Sequence, residues 1–357
     1  MQNLPVSIAQ MGATISSQTF KQKRFLFEIK FMENRLHVFF PDSHSSFKFQ
    51  LYLNKQKFYY LAQEMIALLD GSIYMIGGRK LPAELASVTL HNSEDPQVKL
   101  ITTDEVYRIN LSKQKDMQIE LSDSKACAFL PKPRHSHVLL HSAPYIYVIG
   151  GQYEDFTTAK ACLRFHTKTK QWSSIRDFDL PVEDPSNLTG INIDNQKLYI
   201  FDSSKDPLPN IYQYNIETNV WVQLVIHLKN KHMSIPPSLN TFLFRISDNK
   251  LLVLSGDHSV DQKRQRGYSY FFDITTEKIE DFRLDRALDF TITDHQGNKD
   301  FRNEDRVYIH FNEKTVDLFD KRMGMCERID IRESDGRRQE PTFNIACCSR
   351  KQTKFLF

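Results

Sequence analysis

Ile73-Tyr74-Met75-Ile76-Gly77-Gly78 and Ile146-Tyr147-Val148-Ile149-Gly150-Gly151 are two copies of one pattern, a short run of β-branched, aliphatic and aromatic residues closed by a glycine pair. Leu198-Tyr199-Ile200-Phe201-Asp202 and Leu251-Leu252-Val253-Leu254-Ser255-Gly256 repeat it with altered closures, and Leu36-His37-Val38-Phe39-Phe40 and Val307-Tyr308-Ile309-His310-Phe311 are weaker copies. The runs are too short for a helix and are bounded by Gly, Asn, Asp and Pro, so they read as strands. They are apolar at successive positions, and successive residues of a strand point to opposite faces. A strand of this kind belongs in a sheet covered on both sides.

The spacing extends the reading. Each run is followed by a further strand ending in an apolar residue and then Asn, His or Asp: Leu53-Asn54, Ile109-Asn110, Phe165-His166, Tyr214-Asn215, Phe272-Asp273 and Phe319-Asp320. The polar members recur at intervals of 56, 56, 49, 58 and 47 residues, a repeat of roughly 50 that signals an array of small sheets. Asn and Asp bond their own backbone two residues on, which stops a strand and starts a turn. Six residues later come Tyr60, Trp172, Trp221, Ile279 and Cys326, expected to begin a fourth, outermost strand. The only two tryptophans of the chain occupy equivalent places in this scheme.

These residues resemble the kelch repeat. Its pattern is an Arg and a small-residue or His pair on the inner strand, a Gly-Gly closing the second strand, and an aromatic-Asn-x-x-Thr-x-x-Trp turn. Arg134, His137, Gly150, Gly151, Phe165, Thr169 and Trp172 match it best; the next repeat keeps Tyr214, Asn215, Thr218 and Trp221 but has Asp202-Ser203 in place of the glycines. The resemblance implies an all-β fold, a kelch-type β-propeller forming one domain over 1–357, with six complete blades over 24–331. Thr342 to Cys348 and Lys354 to Phe357 form one more inner hairpin, and residues 5–20 can supply outer strands to it. The expectation is therefore seven blades, the last stitched from both termini within 1–23 and 342–357, with six blades and a C-terminal tail as the alternative. A bare half-blade would expose an unpaired edge. One insertion interrupts the second repeat, at 79–105. It is long enough for a hairpin of its own, for example Ser87 to His91 against Val98 to Thr102, and long loops in compact domains are either functional or solvated excursions.

Composition narrows the function. With 47 Lys and Arg against 44 Asp and Glu, the formal charge is only +3, which argues against a phosphate-backbone binder. The five cysteines, Cys127, Cys162, Cys326, Cys347 and Cys348, form neither a disulfide framework nor a CxxC zinc pair. The first twenty residues lack the basic start and apolar run of a secretory signal, and no stretch is apolar for long enough to span a bilayer. The expected location is the cytoplasm, alone or in a cytoskeletal or other large assembly, with no membrane and no nucleic acid partner.

Candidate chemistry is sparse. His135, His137 and His141 alternate along PRHSHVLLH as metal ligands on one strand face would, but Arg134 and His137 fall where the kelch pattern has structural residues. Asp257-His258-Ser259 is adjacent in sequence, whereas a catalytic triad is defined by geometry. No GxxxxGK[ST], GxGxxG or GxSxG stretch occurs. No catalytic residue, metal ligand or cofactor is assigned. The resemblance also admits an enzyme, since some propellers of this kind act on sugars or use a copper site.

The leading expectation is a non-catalytic scaffold or adaptor, standing alone or as a subunit of a larger assembly. The resemblance places partner binding on the loops that join second to third strands and one blade to the next. Carried onto this chain, that face comprises Arg79, Lys80, Tyr153, Glu154, Asp155, Lys205, Asp206, His258, Lys263, Arg264 and Arg266. The run Lys263-Arg264-Gln265-Arg266 suits an acidic segment of a protein partner, because guanidinium forks match carboxylates; a solvated charged loop is the plainer reading.

Overall fold

The structure is a computed structural model that describes residues 26–30, 35–40, 45–52, 60–67, 72–80, 100–110, 118–120, 127–179, 188–193, 196–204, 208–230, 235, 241–255, 268–282, 306–311, 315–323 and 325–330. Among them every regular element is a strand. In chain order these begin Leu26–Lys30 (β1), Arg35–Phe40 (β2), Ser45–Tyr52 (β3), Tyr60–Ala67 (β4), Ser72–Lys80 (β5), Ile101–Thr102 (β6), Glu105–Asn110 (β7), Gln118–Glu120 (β8) and Ala128–Phe129 (β9). They continue with Val138–Ser142 (β10), Tyr145–Ile149 (β11), Leu163–His166 (β12), Trp172–Ser174 (β13), Leu188–Asn192 (β14), Lys197–Asp202 (β15), Asn210–Asn215 (β16) and Val220–Gln223 (β17). The last are His227–Leu228 (β18), Thr241–Arg245 (β19), Lys250–Ser255 (β20), Tyr268–Asp273 (β21), Lys278–Asp281 (β22), Arg306–Phe311 (β23), Thr315–Asp320 (β24) and Met325–Asp330 (β25).

The strands form six sheets, mostly antiparallel meanders. The third (β10-β11-β12-β13) and fourth (β14-β15-β16-β17) are regular four-stranded sheets. The second runs β4-β5-β7-β9 with β6 on the end of β5, the fifth runs β19-β20-β21-β22-β18, and the sixth shows β23-β24-β25. The first is β1-β2-β3-β8. Its outer strand corrects an expectation: Tyr60 does not begin the fourth strand of the first sheet but opens β4, the leading strand of the second, paired with β5. The edge of β3 left open by that change is covered by β8, in parallel. In the fifth sheet β18 covers the edge of β22, also in parallel. Both short strands satisfy main-chain groups that would otherwise be left at a bare edge.

Alternation along each central strand explains the stacking. In β11, Ile146 and Val148 pack with Tyr74, Ile76 and Val106 of the second sheet, while Tyr147 and Ile149 pack with Leu198, Ile200, Tyr212 and Tyr214 of the fourth. In β20, Leu251 and Val253 meet Tyr199 and Phe201 of the fourth sheet, and Leu252 and Leu254 meet Phe319 of the sixth. A run that is apolar at every position thus feeds two cores, one on each face. Each such side chain contributes about 1.5–3 kcal/mol on full burial, so neither face can be left uncovered. The leading strands of successive sheets also lie against one another: β4 with β10, β10 with β14, β14 with β19, β19 with β23, and β23 with β1.

Among the described residues, the turn before the outer strand repeats in the third to sixth sheets. Asn215 Oδ1 accepts from the Glu217 and Thr218 amides at 3.0 Å each, Asp273 Oδ1 from those of Thr275 and Thr276 at 3.0 and 2.8 Å, and Asp320 Oδ1 from those of Arg322 and Met323 at 2.8 and 2.9 Å. His166 does the same with Nδ1, at 3.3 and 3.1 Å from the Lys168 and Thr169 amides. Four residues beyond the cap, Lys170, Asn219 and Glu277 take positive φ, 63°, 57° and 54°. Trp172 and Trp221 then stand opposite Phe165 and Tyr214, with ring centroids 4.8 and 4.9 Å apart. The expected beginnings of outer strands at Trp172, Trp221, Ile279 and Cys326 hold.

Residues 1–23 and 342–357, expected to build a closing blade, lie outside the described residues, as does Ser87 to His91 of the insertion. The end of the insertion is described: Ile101 and Thr102 pair with Lys80 and Arg79. No helix among the described residues is long and apolar enough to cross a membrane.

Candidate functional site

Beyond the glycine pair the chain leaves the crowded inner region. Gly77 has φ 59°, and a Cβ there would lie 2.6 Å from the Arg134 carbonyl oxygen; Gly151 has φ 92°, and its Cβ would lie 2.7 Å from the His135 carbonyl oxygen. Only glycine satisfies both conditions. The two closures therefore bring the Arg134–His137 segment against the ends of β5 and β11. The Gly78 amide donates to Arg134 O at 2.9 Å, and His135 and Gln152 exchange amide bonds at 2.9 and 2.8 Å.

Arg134 supports this junction from below. It is 1% exposed, and its Nη1 donates to the carbonyls of Ala161 at 2.7 Å and Gly150 at 3.3 Å. Burial lowers its pKa from the ordinary arginine value. His137 is enclosed beside it; burial first, and then the charge of Arg134, lower its pKa to about 3 against a small opposing pull from the Ile76 backbone. Neither of its ring nitrogens makes a hydrogen bond of ordinary geometry. His137 is thus a neutral packing group.

Above the junction, β5 extends past the glycines so that Arg79 and Lys80 stand in a two-residue ladder with β6. Lys80 Nζ pairs with Glu105 Oε2 at 2.7 Å, and Thr103 Oγ1 donates to the same oxygen at 3.0 Å. Arg79 reaches the neighbouring sheet, with Nη2 2.9 Å from His135 Nε2. Because a guanidinium only donates, His135 Nε2 accepts. Its Nδ1 then carries the proton and donates to Ser136 Oγ, 2.9 Å away. The electrostatics agree: burial, and next the Arg79 charge, lower the His135 pKa to about 4, with Glu154 opposing.

The tip of the third-sheet loop completes the cluster. The Tyr153 amide donates to Thr157 O and the Phe156 amide to Tyr153 O, both at 3.0 Å. Asp155 Oδ1 accepts from the Thr157 amide at 3.0 Å and hydroxyl at 2.6 Å, which holds its carboxyl below the usual range. Glu154 Oε2 accepts from the Thr102 amide at 2.7 Å and so ties this tip to β6. Phe156, at φ 61°, lies under the Arg79 guanidinium, 5.1 Å from Cζ to the ring centroid, and meets His135 edge-on at 6.1 Å. Lys132 Nζ sits 3.4 Å from the centroid of Tyr153.

The structure thus brings Arg79, Lys80, Tyr153, Glu154 and Asp155 into one surface spanning two sheets. Lys205, Asp206, His258, Lys263, Arg264 and Arg266 lie outside the described residues. Sequence reasoning missed Phe156, Lys132 and Thr102, and it placed His135 among possible metal ligands rather than beside Arg79. Phe156 had a readable signal: a bulky aromatic at the end of a short hairpin tip, where Gly or Asn is the usual residue. The three histidines serve separate purposes. His135 holds Arg79, His137 is enclosed, and the His141 carbonyl accepts from Asn192 Nδ2. Among the described residues no three His, Cys, Asp or Glu side chains gather around a point suited to a metal. The Cys162 thiol is buried, and that burial pushes its pKa up to about 12, which suppresses the reactive thiolate.

No protein-family model matches the chain, and no curated protein matches it in sequence.

Proposed function

We propose that the chain is a kelch-type β-propeller acting in the cytoplasm as a non-catalytic scaffold or adaptor, which holds a partner protein on the loop face built by Arg79, Glu154, Tyr153 and their neighbours. The observation that carries this reading is the join between two sheets at that face. Arg79 binds His135, Glu154 binds the Thr102 amide, and both contacts cross from one sheet to the next. Loops fixed to each other on a stacked-sheet base give a surface that loses little entropy on binding. The covered faces of the central sheets and the line of leading strands support a ring. The approach of β23 to β1 favours closure by six sheets with 342–357 as a tail, over a seventh sheet inserted between them.

The test is the composition of the native protein. Isolated at physiological salt and sized by light scattering, it is expected as a complex containing a second protein in fixed ratio. Recovery of the chain alone, together with stoichiometric copper or hydrolysis of a glycan, would overturn the scaffold reading.

A further inference from the structure

Phe156 occupies a backbone position that opposes its side chain. The tip of the loop is a three-residue connection, Glu154, Asp155 and Phe156, closed by the Tyr153–Thr157 and Phe156–Tyr153 amide bonds. The last tip residue of such a connection takes positive φ, which Gly or Asn adopts readily and a bulky residue does not. The turn bonds need no phenyl ring, since they come from Asp155 and main-chain groups. Nor does burial within this chain repay the strain: Phe156 is 64% exposed. Other exposed apolar residues, such as Phe129 and Val225, are absent from the positive-φ positions, and scattered surface hydrophobics of that kind need no explanation.

The ring is nevertheless held in place. The guanidinium of Arg79 lies over it and the edge of His135 meets it. Arg79 itself carries five donors and hydrogen-bonds only to a neutral imidazole, with no carboxylate partner among the described residues. An exposed aromatic beside an Arg that no carboxylate binds directly among the described residues is the composition of an interface anchor. Resting on the reading of this face as a protein-binding surface, we infer that Phe156 is a knob that enters an apolar pocket on the partner, and that a carboxylate at the rim of that pocket meets Arg79. The partner is a folded protein, because a pocket deep enough for a phenyl ring needs a preformed wall. The strain is kept because removing the ring from the tip removes the anchor.

The test uses the full chain in the cells that make it, with the photoreactive amino acid p-benzoylphenylalanine at position 156 and, separately, at 153, 132 and 225. Irradiation is expected to give one discrete protein adduct from position 156, little from 225, and a weaker 156 adduct when Arg79→Gln is also present. The protein captured is then purified and titrated against wild type and Phe156→Asn. Asparagine should weaken binding at least tenfold while raising Tm by about 1–4 °C through relief of the strained φ. Unchanged affinity in Phe156→Asn, a fall in its Tm, or equal adducts from 156 and 225 would overturn the inference. An adduct from 153 or 132 without one from 156 would end the anchor and leave the loop-face reading standing. Silence at all three positions would end both.

Discussion

Apart from Ser136, at φ 55° beside His135 in the junction, two sets of residues share one unusual backbone conformation among the described residues and use it for opposite ends. Lys170, Asn219 and Glu277 take φ of 63°, 57° and 54° at the same place in three successive turns, and Phe156 takes 61° at the tip of one loop. In the turns the conformation is part of the repeat: it follows a capping His, Asn or Asp by four residues and delivers the chain to an outer strand. The side chains there are polar, and Asn219 has two structural bonds, accepting from the Arg176 amide and the Tyr214 hydroxyl at 2.8 Å each. At the loop tip the same φ displays a phenyl ring to solvent. The recurring turns build the sheets, and at the exposed ring of Phe156 a physical cost of about 1–3 kcal/mol lacks a return inside the fold.

The repeating part carries the larger share of the stability. Phe272 is fully buried between the fourth and fifth sheets, with its ring edge-on to Phe201 at 5.6 Å. Phe272→Ala should cost about 3–5 kcal/mol, read as a large fall in the denaturant midpoint. A change below about 1 kcal/mol would mean that the two sheets do not rely on each other. Asn219→Ala comes next, because it replaces a residue tolerant of positive φ and removes both of its bonds. The expected loss is about 1–3 kcal/mol, again from the midpoint of chemical unfolding. The same exchange at Phe156 should cost no more than about 1 kcal/mol, because it removes only the exposed ring contacts with Arg79 and His135 and leaves the backbone conformation as strained as before.

The regular half of this contrast was legible in the sequence, and the singular half was not. Strands apolar at every position, such as Ile146 to Ile149, imply cover on both faces, and Asn215 or Asp273 implies a turn through its own side-chain chemistry. These signals are local. The parallel strands β8 and β18 are only two or three residues long and pair with partners far along the chain, so they carry no periodicity to read. Tyr60 fell at the expected interval, yet β4 opens the next sheet, because spacing alone does not say which edge a strand will join. The resemblance alone places Arg79, Tyr153, Glu154 and Asp155 on loops. Their contacts with His135, Lys132 and Thr102 depend on two glycine turns that bring separate loops together, and no single window of sequence contains that geometry.

Acid acts on the junction below the loop face, which holds two neutral histidines. His137, with a pKa of about 3, and His135, with one of about 4, both lie below the ordinary value of 6.5. At a pH more than one unit above 6.5 they are neutral in both folded and unfolded chains, and stability does not depend on them. As pH falls below that value the unfolded chain takes up protons that the folded chain refuses, so stability declines until the folded groups titrate near pH 4 and 3. For the enclosed His137 this amounts to about 1 kcal/mol between pH 7.5 and 6. Urea midpoints over that range should fall, and the fall should be shallower in His135→Gln, which keeps an acceptor for Arg79 and removes one titration. An identical slope in that variant would place the acid sensitivity elsewhere.

The smallest expected effect bears most directly on the loop face. Arg79→Gln removes a cation that is only partly buried and pairs with a neutral ring, so global stability should change by less than about 1 kcal/mol. The electrostatic consequence is local and has a definite sign. The positive charge of Arg79 is the second cause, after burial, of the low His135 pKa. Without it the protonated ring is less disfavoured, and the His135 pKa should rise from about 4 while staying below 6.5, because burial remains. A proton NMR titration of the His135 ring in the folded variant reads this shift without unfolding the protein. A large loss of stability with no movement of that pKa would make Arg79 a structural prop like Arg134, and the distinction between the repeated turns and the loop tip would fail at its central contact.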